Sequence, residues 1–302
     1  MKTKCTHALI IAACMLIAAS VPALAQDQIL YKGDPVDGKY ISVGSWGSGS
    51  AEDVAKSGYS GSRSLKITAR SLFEGGRIDF IEPVDLSRHF ANPNAYFQLL
   101  AKMQLDEDLG SDPLLEGFFP AEAYGEVGSV AGTGSPVSRV RLVLMFDAGA
   151  ASECQADVSG FRLGDDGWLA LSFPMSALKG KTARTEHKLK RIIISGDGSE
   201  PFYIGQIQIV TDTKPITADA GLDQFVAAND DIMFRAVGDG GAAALRYAWD
   251  FDSKDGIQTD ALGEVVYHKY RKAGDYTITL TVSDIFKIKE PVTRTVKAQV
   301  FD

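Results

Sequence analysis

Six side chains of this sequence have the types and positions that could bind a sugar. Flat aromatic faces can stack on pyranose rings when polar groups beside them reach the hydroxyls. Arg77 and Asp147 lie at predicted strand ends and could supply those hydrogen bonds. The aromatic candidates, all in or beside turns rather than inside apolar runs, are Trp46, Tyr59, Phe73 and Tyr124. The alternative interpretation is that each is an ordinary core or rim residue, which we favour for Trp168.

A second candidate group consists of carboxylates near the C-terminal end. Ca²⁺ takes about six to eight oxygen ligands, many of them carboxylates. The D-x-D-x-x-D-G spacing that begins at Asp250 misses the calcium-loop pattern D-x-D-x-D-G by one residue. We favour turn chemistry, in which Asp side chains accept loop amides. Asp250, Asp252 and Asp255 are therefore metal candidates that we do not favour, and we expect no cofactor other than a structural calcium at such a site.

Catalytic motifs are missing from the sequence. Once a predicted leader is removed, the histidines are His89, His187 and His268, and none has a nucleophile or metal motif around it. There is no G-x-S-x-G, H-E-x-x-H, phosphate loop or dinucleotide fingerprint. A glycosidase with a carboxylate pair would leave little trace in sequence and is the alternative. We predict that the protein is not an enzyme.

Composition and the N-terminus indicate an exported protein. The 302 residues carry a formal net charge of −8, which argues against nucleic acid as a partner. Lys2 and Lys4, an apolar stretch and Ala23-Leu24-Ala25 predict a signal peptide, residues 1–25, cleaved after Ala25. The alternative is a lipoprotein box ending at Cys14. No later segment has the about 18–20 apolar residues of a membrane span, so we expect a secreted, extracellular or periplasmic protein. Cys154 would be its only cysteine, and we expect it to face a core.

Short β-type runs separated by Gly, Asp, Asn and Pro fill residues 26–211. Many short strands without amphipathic helices predict an antiparallel sandwich or jelly roll. The predicted strands are 39–46, 64–69, 76–81, 95–103, 139–146, 167–173, 189–195 and 202–210.

Several local patterns of this region resemble carbohydrate-binding jelly-roll modules of the galactose-binding-like type. Residues 58–67 are similar to the family's Y-x-G-x-x-S-L-x-I, and Gly167-Trp168 with Pro174 and Leu178 to its G-W…P-x-x-x-L. Residues 191–194 and 202–207 resemble the two closing strands of that family. The resemblance implies a glycan ligand, although members also bind proteins or lipids. Gly205-Gln206 stands where the family often has an acidic calcium ligand, which puts that metal site in doubt.

Residues 104–137 form a long segment inside the first domain. Loops of this length are uncommon in compact domains and are usually functional or disordered. Three aromatic residues, including Tyr124, lie in its middle, so we predict that it folds over one face as a lid or rim of a binding groove.

The chain restarts after a short linker, residues 212–217. Residues 218–302 resemble a PKD domain, which is an immunoglobulin-like sandwich. The resemblance is carried by Tyr247-Ala248-Trp249-Asp250-Phe251-Asp252 and by the alternating segment 274–284. The W-D-F-G-D-G signature departs here, with Asp252-Ser253-Lys254-Asp255-Gly256 in its last positions. Trp249 is expected as the buried plug between the sheets.

Two functions of different classes remain open. The first is a secreted, bacterial-type carbohydrate-binding or adhesion protein whose jelly roll holds a polysaccharide or glycan, with the PKD domain as spacer. The second is a cell-surface or matrix protein that uses both sandwiches to bind other proteins. A glycoside hydrolase accessory subunit is a further alternative. The fold expected in every case is all-β, a jelly-roll sandwich followed by an immunoglobulin-like one; the oligomeric state is not readable.

Overall fold

A computed structural model describes residues 27–55, 58–103, 135–147, 149–161, 163–164, 166–178 and 187–302. The predicted signal peptide, Tyr124 and nearly all of the segment 104–137 lie outside these residues, so the signal, lid and rim interpretations stay predictions.

The first domain is built almost entirely of strands, as predicted. Among its described residues the one α-helix, α1 (Ser87–Phe90), is a single turn, and a 3₁₀ turn follows at Val158–Gly160. The strands are β1 (Gln28–Tyr31), β2 (Ile41–Trp46), β3 (Ser50–Val54), β4 (Ser64–Thr68), β5 (Gly75–Asp85), β6 (Ala95–Lys102), β7 (Arg139–Phe146), β8 (Ala151–Asp157), β9 (Leu169–Pro174), β10 (Lys188–Gly196) and β11 (Phe202–Thr211).

These strands form two antiparallel sheets that face each other. Sheet I has the order β3-β4-β11-β6-β9, with β1 also on β11, and sheet II the order β2-β5-β10-β7-β8. Alternate residues of both sheets enter one core, for example Phe97 and Ile207 from sheet I and Ile78, Leu142 and Ile192 from sheet II. Because the side-chain period of a strand is two, the residues between them lie on the outer faces.

The second domain is a smaller β-sandwich. A five-stranded sheet has the order β13-β20-β19-β16-β17, and two strand pairs, β12-β15 and β14-β18, accompany it. Trp249 is fully buried and donates its indole N–H to the Gly263 carbonyl, which confirms it as the plug. A 3₁₀ turn occupies Ser253–Asp255. The strands are β12 (Thr217–Asp219), β13 (Gln224–Ala227), β14 (Ile232–Arg235), β15 (Val237–Asp239), β16 (Leu245–Asp250), β17 (Ala261–Leu262), β18 (Val265–His268), β19 (Gly274–Asp284) and β20 (Val292–Phe301).

The two domains pack directly against each other. Ala244 is buried with the core of the first domain, and Ile285 and Phe286 pack on the same cluster. The Phe286 ring lies 6.4 Å from that of Phe173 in β9. In the described part of the chain no helix is long and apolar enough to cross a membrane.

Candidate functional site

The outer face of sheet II gathers several of the candidate residues. The register pairs Gly44 and Ile193 with Arg77 on either side, and Ser42 and Arg191 with Asp79. Paired residues of neighbouring strands point to the same side of a sheet. Arg77, Asp79 and Arg191 alternate with the core residues Ile78 and Ile192, so all three side chains lie on the outer face.

Arg77, Asp79 and Arg191 form what we call the arginine cluster. Arg191 donates its Nε–H to Oδ1 of Asp79. Nε of Arg77 lies 2.9 Å from Oδ2 of the same carboxylate, an ion pair that lacks hydrogen-bond geometry. Each oxygen of Asp79 therefore faces one guanidinium, and the three side chains sum to one positive charge.

The terminal nitrogens of both guanidiniums are not used in pairing with Asp79. They make no hydrogen bond to any residue that the structure describes. The side chains are 36% exposed for Arg77 and 27% exposed for Arg191, so solvent reaches the cluster. Its free groups are donors, because an arginine has no acceptor.

Gly44 makes room for the Arg77 guanidinium. A Cβ at this position would lie 3.1 Å from a terminal nitrogen of Arg77, which is closer than most Cβ contacts. The guanidinium thus lies over β2, and a Cβ at position 44 would require it to shift by a few tenths of an ångström.

Trp46 and Phe73 supply the aromatic surface of this face. Trp46 ends β2, is partly exposed, and its ring centre lies 5.9 Å from the Arg191 guanidinium carbon. Phe73, in the turn between β4 and β5, is 64% exposed and lies 4.9 Å from the Arg141 guanidinium carbon. Both distances are within the range of cation–π attraction.

Arg141 fixes the Phe73 turn to the sheet. It donates to the Leu72 carbonyl at 3.3 Å and to the Glu153 carboxylate. The Ser195 hydroxyl donates to the same carbonyl at 2.7 Å. With only 12% of its side chain exposed, Arg141 serves the loop rather than a ligand.

The remaining sugar-binding candidates lie elsewhere. Tyr59 makes an edge-to-face contact of 5.8 Å with Trp168 on the outer side of sheet I. With Gly241, Ala242 and Ala243 of the second domain, the two rings line a cleft of about 130 Å³. Trp168 is buried, as expected, but outside the core between the sheets.

Asp147 lies apart from the arginine cluster, in the β7–β8 turn. The residue is exposed, and its side chain makes no hydrogen bond or ion pair with described residues. Its amide donates to the Lys188 carbonyl. Of the predicted set, the structure places Trp46, Phe73 and Arg77 on the outer face of sheet II, and leaves Tyr59 and Asp147 outside it.

Sequence reasoning missed Asp79 and Arg191. Asp79 carried a signal as alternation, because it is a charged residue between the core residues Ile78 and Phe80. Arg191 carried a weaker signal, because it follows the exposed Lys190 where the register of β10 shifts. A charge in the middle of such a strand marks a solvent-facing position. Which two strands are neighbours, and hence that Asp79 meets Arg191, required the topology.

The acidic residues of the second domain accept loop amides, as predicted. Asp250, only 1% exposed, accepts from the amides of Asp252 and Gln258 at 3.0 and 2.7 Å. Asp252 caps the 3₁₀ turn through the Lys254 amide, and Asp260 accepts from the Phe251 amide. Among described residues no group of three or more His, Cys, Asp or Glu side chains is arranged to hold a metal ion.

The three histidines are packed into their domains. His187 stacks on Phe90 at 4.0 Å and His268 on Phe251 at 4.1 Å, while His89 contacts the Gln28 side chain at 2.8 Å. Burial lowers the pKa of both His89 and His268.

Cys154 packs against the first core, as expected. Burial raises the pKa of its thiol to about 11, which keeps it protonated near neutral pH.

Comparisons with known proteins agree with the reading of the C-terminal region. The family model of the PKD domain matches residues 212–300. The PKD1 domain of Vibrio anguillarum Epp is 24% identical; the match covers 30% of this chain and 99% of that one, with a TM-score of 0.23. No curated protein sequence matches the chain.

Two structures from Clostridium thermocellum are also similar to parts of the chain. The fibronectin(III)-like modules of CbhA are 14% identical, covering 58% of this chain and 82% of that one, with a TM-score of 0.25. The CBM22-1–GH10 modules of endo-1,4-beta-D-xylanase 10B, complexed with xylohexaose, are 10% identical, covering 68% and 33%, with a TM-score of 0.29. Likeness at this level says nothing about ligands.

The predicted all-β fold and the PKD resemblance are therefore both confirmed, and residues 212–300 of this chain are a PKD domain that follows a two-sheet β-sandwich.

Proposed function

We propose that this is a non-catalytic extracellular protein whose first domain binds a glycan on the outer face of sheet II, with the PKD domain as a spacer. One observation carries the proposal: Trp46 and Phe73 share that face with two guanidiniums whose terminal nitrogens have no partner among described residues. Aromatic faces beside directed polar groups are what a pyranose needs.

The predicted secretion supports the extracellular part of the proposal, and a PKD domain suits it. The histidines of the described chain, which are packed rather than paired with a nucleophile, favour binding over catalysis.

Replacing Phe73 tests the site with little risk to the fold, because the ring is mostly exposed. We expect Phe73→Ala to weaken polysaccharide binding by about tenfold, the order of one aromatic contact. Trp46→Ala should do the same. Binding is measured by affinity electrophoresis in gels that contain a panel of polysaccharides, with thermal unfolding of each variant.

Phe225→Ala is the matched control, since this phenylalanine is 70% exposed, close to the 64% of Phe73, and lies in β13 of the second domain. It should bind as the wild type does. Equal retardation of the wild type and Phe73→Ala by every retarding polysaccharide would refute the site.

Protein–protein binding remains the second function, and the strand pair β14-β18 favours it. Met233 and Tyr267 face each other there and are 43% and 57% exposed, with Val265 beside them at 45%. A folded protein that binds no glycan of a broad array would favour this function instead.

A further inference from the structure

We propose that the glycan recognised by the outer face of sheet II is anionic and that the arginine cluster binds the carboxylate of a uronic acid unit. This inference rests on the proposed function and narrows it to a class of ligand. It follows from the balance of donors and acceptors around Arg77, Asp79 and Arg191.

The cluster presents hydrogen-bond donors without matching acceptors. Each oxygen of Asp79 faces the Nε of one arginine, and only 19% of this side chain is exposed, so the carboxylate is largely enclosed by the two guanidiniums. What remains for a ligand are the terminal nitrogens of two guanidiniums. A neutral sugar hydroxyl both donates and accepts, whereas an ionised carboxylate only accepts. The donor-only surface therefore complements a carboxylate better than it complements a hydroxyl.

Geometry points in the same direction. A guanidinium presents two parallel N–H groups that match the two oxygens of a carboxylate, and such pairs are stronger than neutral hydrogen bonds. Contact with Asp79 holds each arginine by its Nε, and this leaves the terminal fork for a second carboxylate. Gly44 lets the Arg77 plane lie over β2.

Asp79 is the carboxylate that pairs with Arg77 and Arg191, and the neighbouring Glu153 and Glu74 have other partners. Glu153 accepts from Arg141, and Glu74 accepts from the Ser48 hydroxyl at 3.2 Å. Trp46, next to the Arg191 guanidinium, would contact the apolar face of the same sugar. The cluster thus forms a positive centre on a protein whose net charge is −8.

The test compares polymers that differ only in the carboxylate. The full-length secreted protein is titrated with polygalacturonate, alginate, hyaluronate and glucuronoxylan, and with the carboxyl-reduced form of each. We expect at least one native polymer to bind, and its carboxyl-reduced form to bind at least about tenfold more weakly. Raising the salt concentration should weaken only the native polymer.

Arg77→Gln and Arg191→Gln should each lower the affinity for the native polymer about tenfold or more. Arg191→Lys keeps the positive charge opposite Asp79, so we expect the protein to remain folded. A lysine lacks the two parallel N–H groups of a guanidinium, so this variant should also lose most of its affinity for the native polymer. Arg63→Gln is the matched control: Arg63 pairs with Asp53 at 2.8 Å and is 25% exposed, close to the 27% of Arg191, but lies at sheet I.

The outcomes separate this inference from the proposed function. One outcome is that native and reduced polymers bind equally, and that Phe73→Ala abolishes this binding while the arginine variants do not. This result would overturn the recognition of a uronic acid and keep the glycan site. Dextran sulfate binding as tightly as the uronate polymer would show a general anion patch and also overturn it. Binding of no polymer would overturn both.

Discussion

At the scale of single residues, the arginines of sheet II differ in function because they differ in which of their nitrogen atoms already have partners. The terminal nitrogens of Arg141 donate to the Leu72 carbonyl and to Glu153, and so hold a loop. Arg77 and Arg191 contact one shared carboxylate through Nε, and their terminal nitrogens remain able to bind. The candidate site is defined by this difference in hydrogen-bond partners rather than by arginine content.

Asp250, unlike Arg77 and Arg191, has no group left for a ligand, because each of its two carboxylate oxygens accepts a hydrogen bond from an amide of its own loop. Asp250→Ala would remove the buried acceptor of the Asp252 and Gln258 amides. We expect the free energy of unfolding to fall by about 2 kcal/mol, near the low end of about 1–3 kcal/mol per orphaned group, because Gln258 is exposed to water. Urea unfolding measures this loss.

Asp255→Ala is the control for Asp250→Ala, because Asp255 is exposed and accepts only from the Gln258 side chain, at 3.2 Å. It should change stability little. The turn interpretation also predicts the same unfolding temperature in excess Ca²⁺ and in EDTA. A rise of several degrees with Ca²⁺, lost in both variants, would contradict it.

At the scale of elements, most strands of the first domain could be predicted from alternation. The predicted run 139–146 is β7 itself, and 95–103 and 202–210 differ from β6 and β11 by one residue at one end. These strands combine β-branched or aromatic core residues with polar neighbours, which makes the period of two plain.

The missed strands are those whose core-facing residues are few or small. β8 points Ser152, Cys154 and Ala156 inward, and β3 contributes Ala51 as its buried residue. Such residues give no hydrophobic alternation, and these strands form only because β7 and β4 offer them ladder partners. Only part of the outer-face site could be predicted from the sequence. Alternation shows which residues face outward, but only the order of the strands shows which of these residues contact each other.

At the scale of the whole molecule, a buried ion pair ties the end of β11 to the PKD domain. Nζ of Lys289 lies 2.7 Å from Asp212 and also donates to the carbonyls of Lys214 and Gly240. The Asp212 amide donates to the Asn94 carbonyl of the first domain. With the apolar contact of Phe286, this junction holds the two sandwiches in one arrangement.

Breaking this junction should be costly. Lys289 and Asp212 are only 9% and 16% exposed, so Lys289→Met should lower the free energy of unfolding by about 3 kcal/mol, the order for removing one partner of a buried pair. The control Lys214→Met removes the Lys214–Asp239 pair, whose lysine is 50% exposed, and should cost less than about 1 kcal/mol. Urea unfolding measures both. Equal small losses would contradict a buried junction.

The same junction predicts a pH dependence. Burial would raise the pKa of Asp212, but hydrogen bonds from Lys289 and from the amides of Ala242 and Lys214 outweigh it and hold the pKa below its ordinary 3.8. A carboxyl group whose pKa is lower in the folded than in the unfolded state stabilises the folded protein. This stabilisation is complete when the pH is above the unfolded-state pKa, and it is lost as the pH falls through the folded-state pKa. The difference between wild type and Lys289→Met should therefore narrow below about pH 4.

The most direct test of the glycan site is a crystal structure of the protein with an oligosaccharide cut from a polymer that binds it. We expect a sugar ring on the outer face of sheet II, beside Trp46 and Phe73, with an acidic group on the terminal nitrogens of Arg77 and Arg191. A sugar seated instead in the cleft of Tyr59 and Trp168, with the face of sheet II empty, would contradict the account.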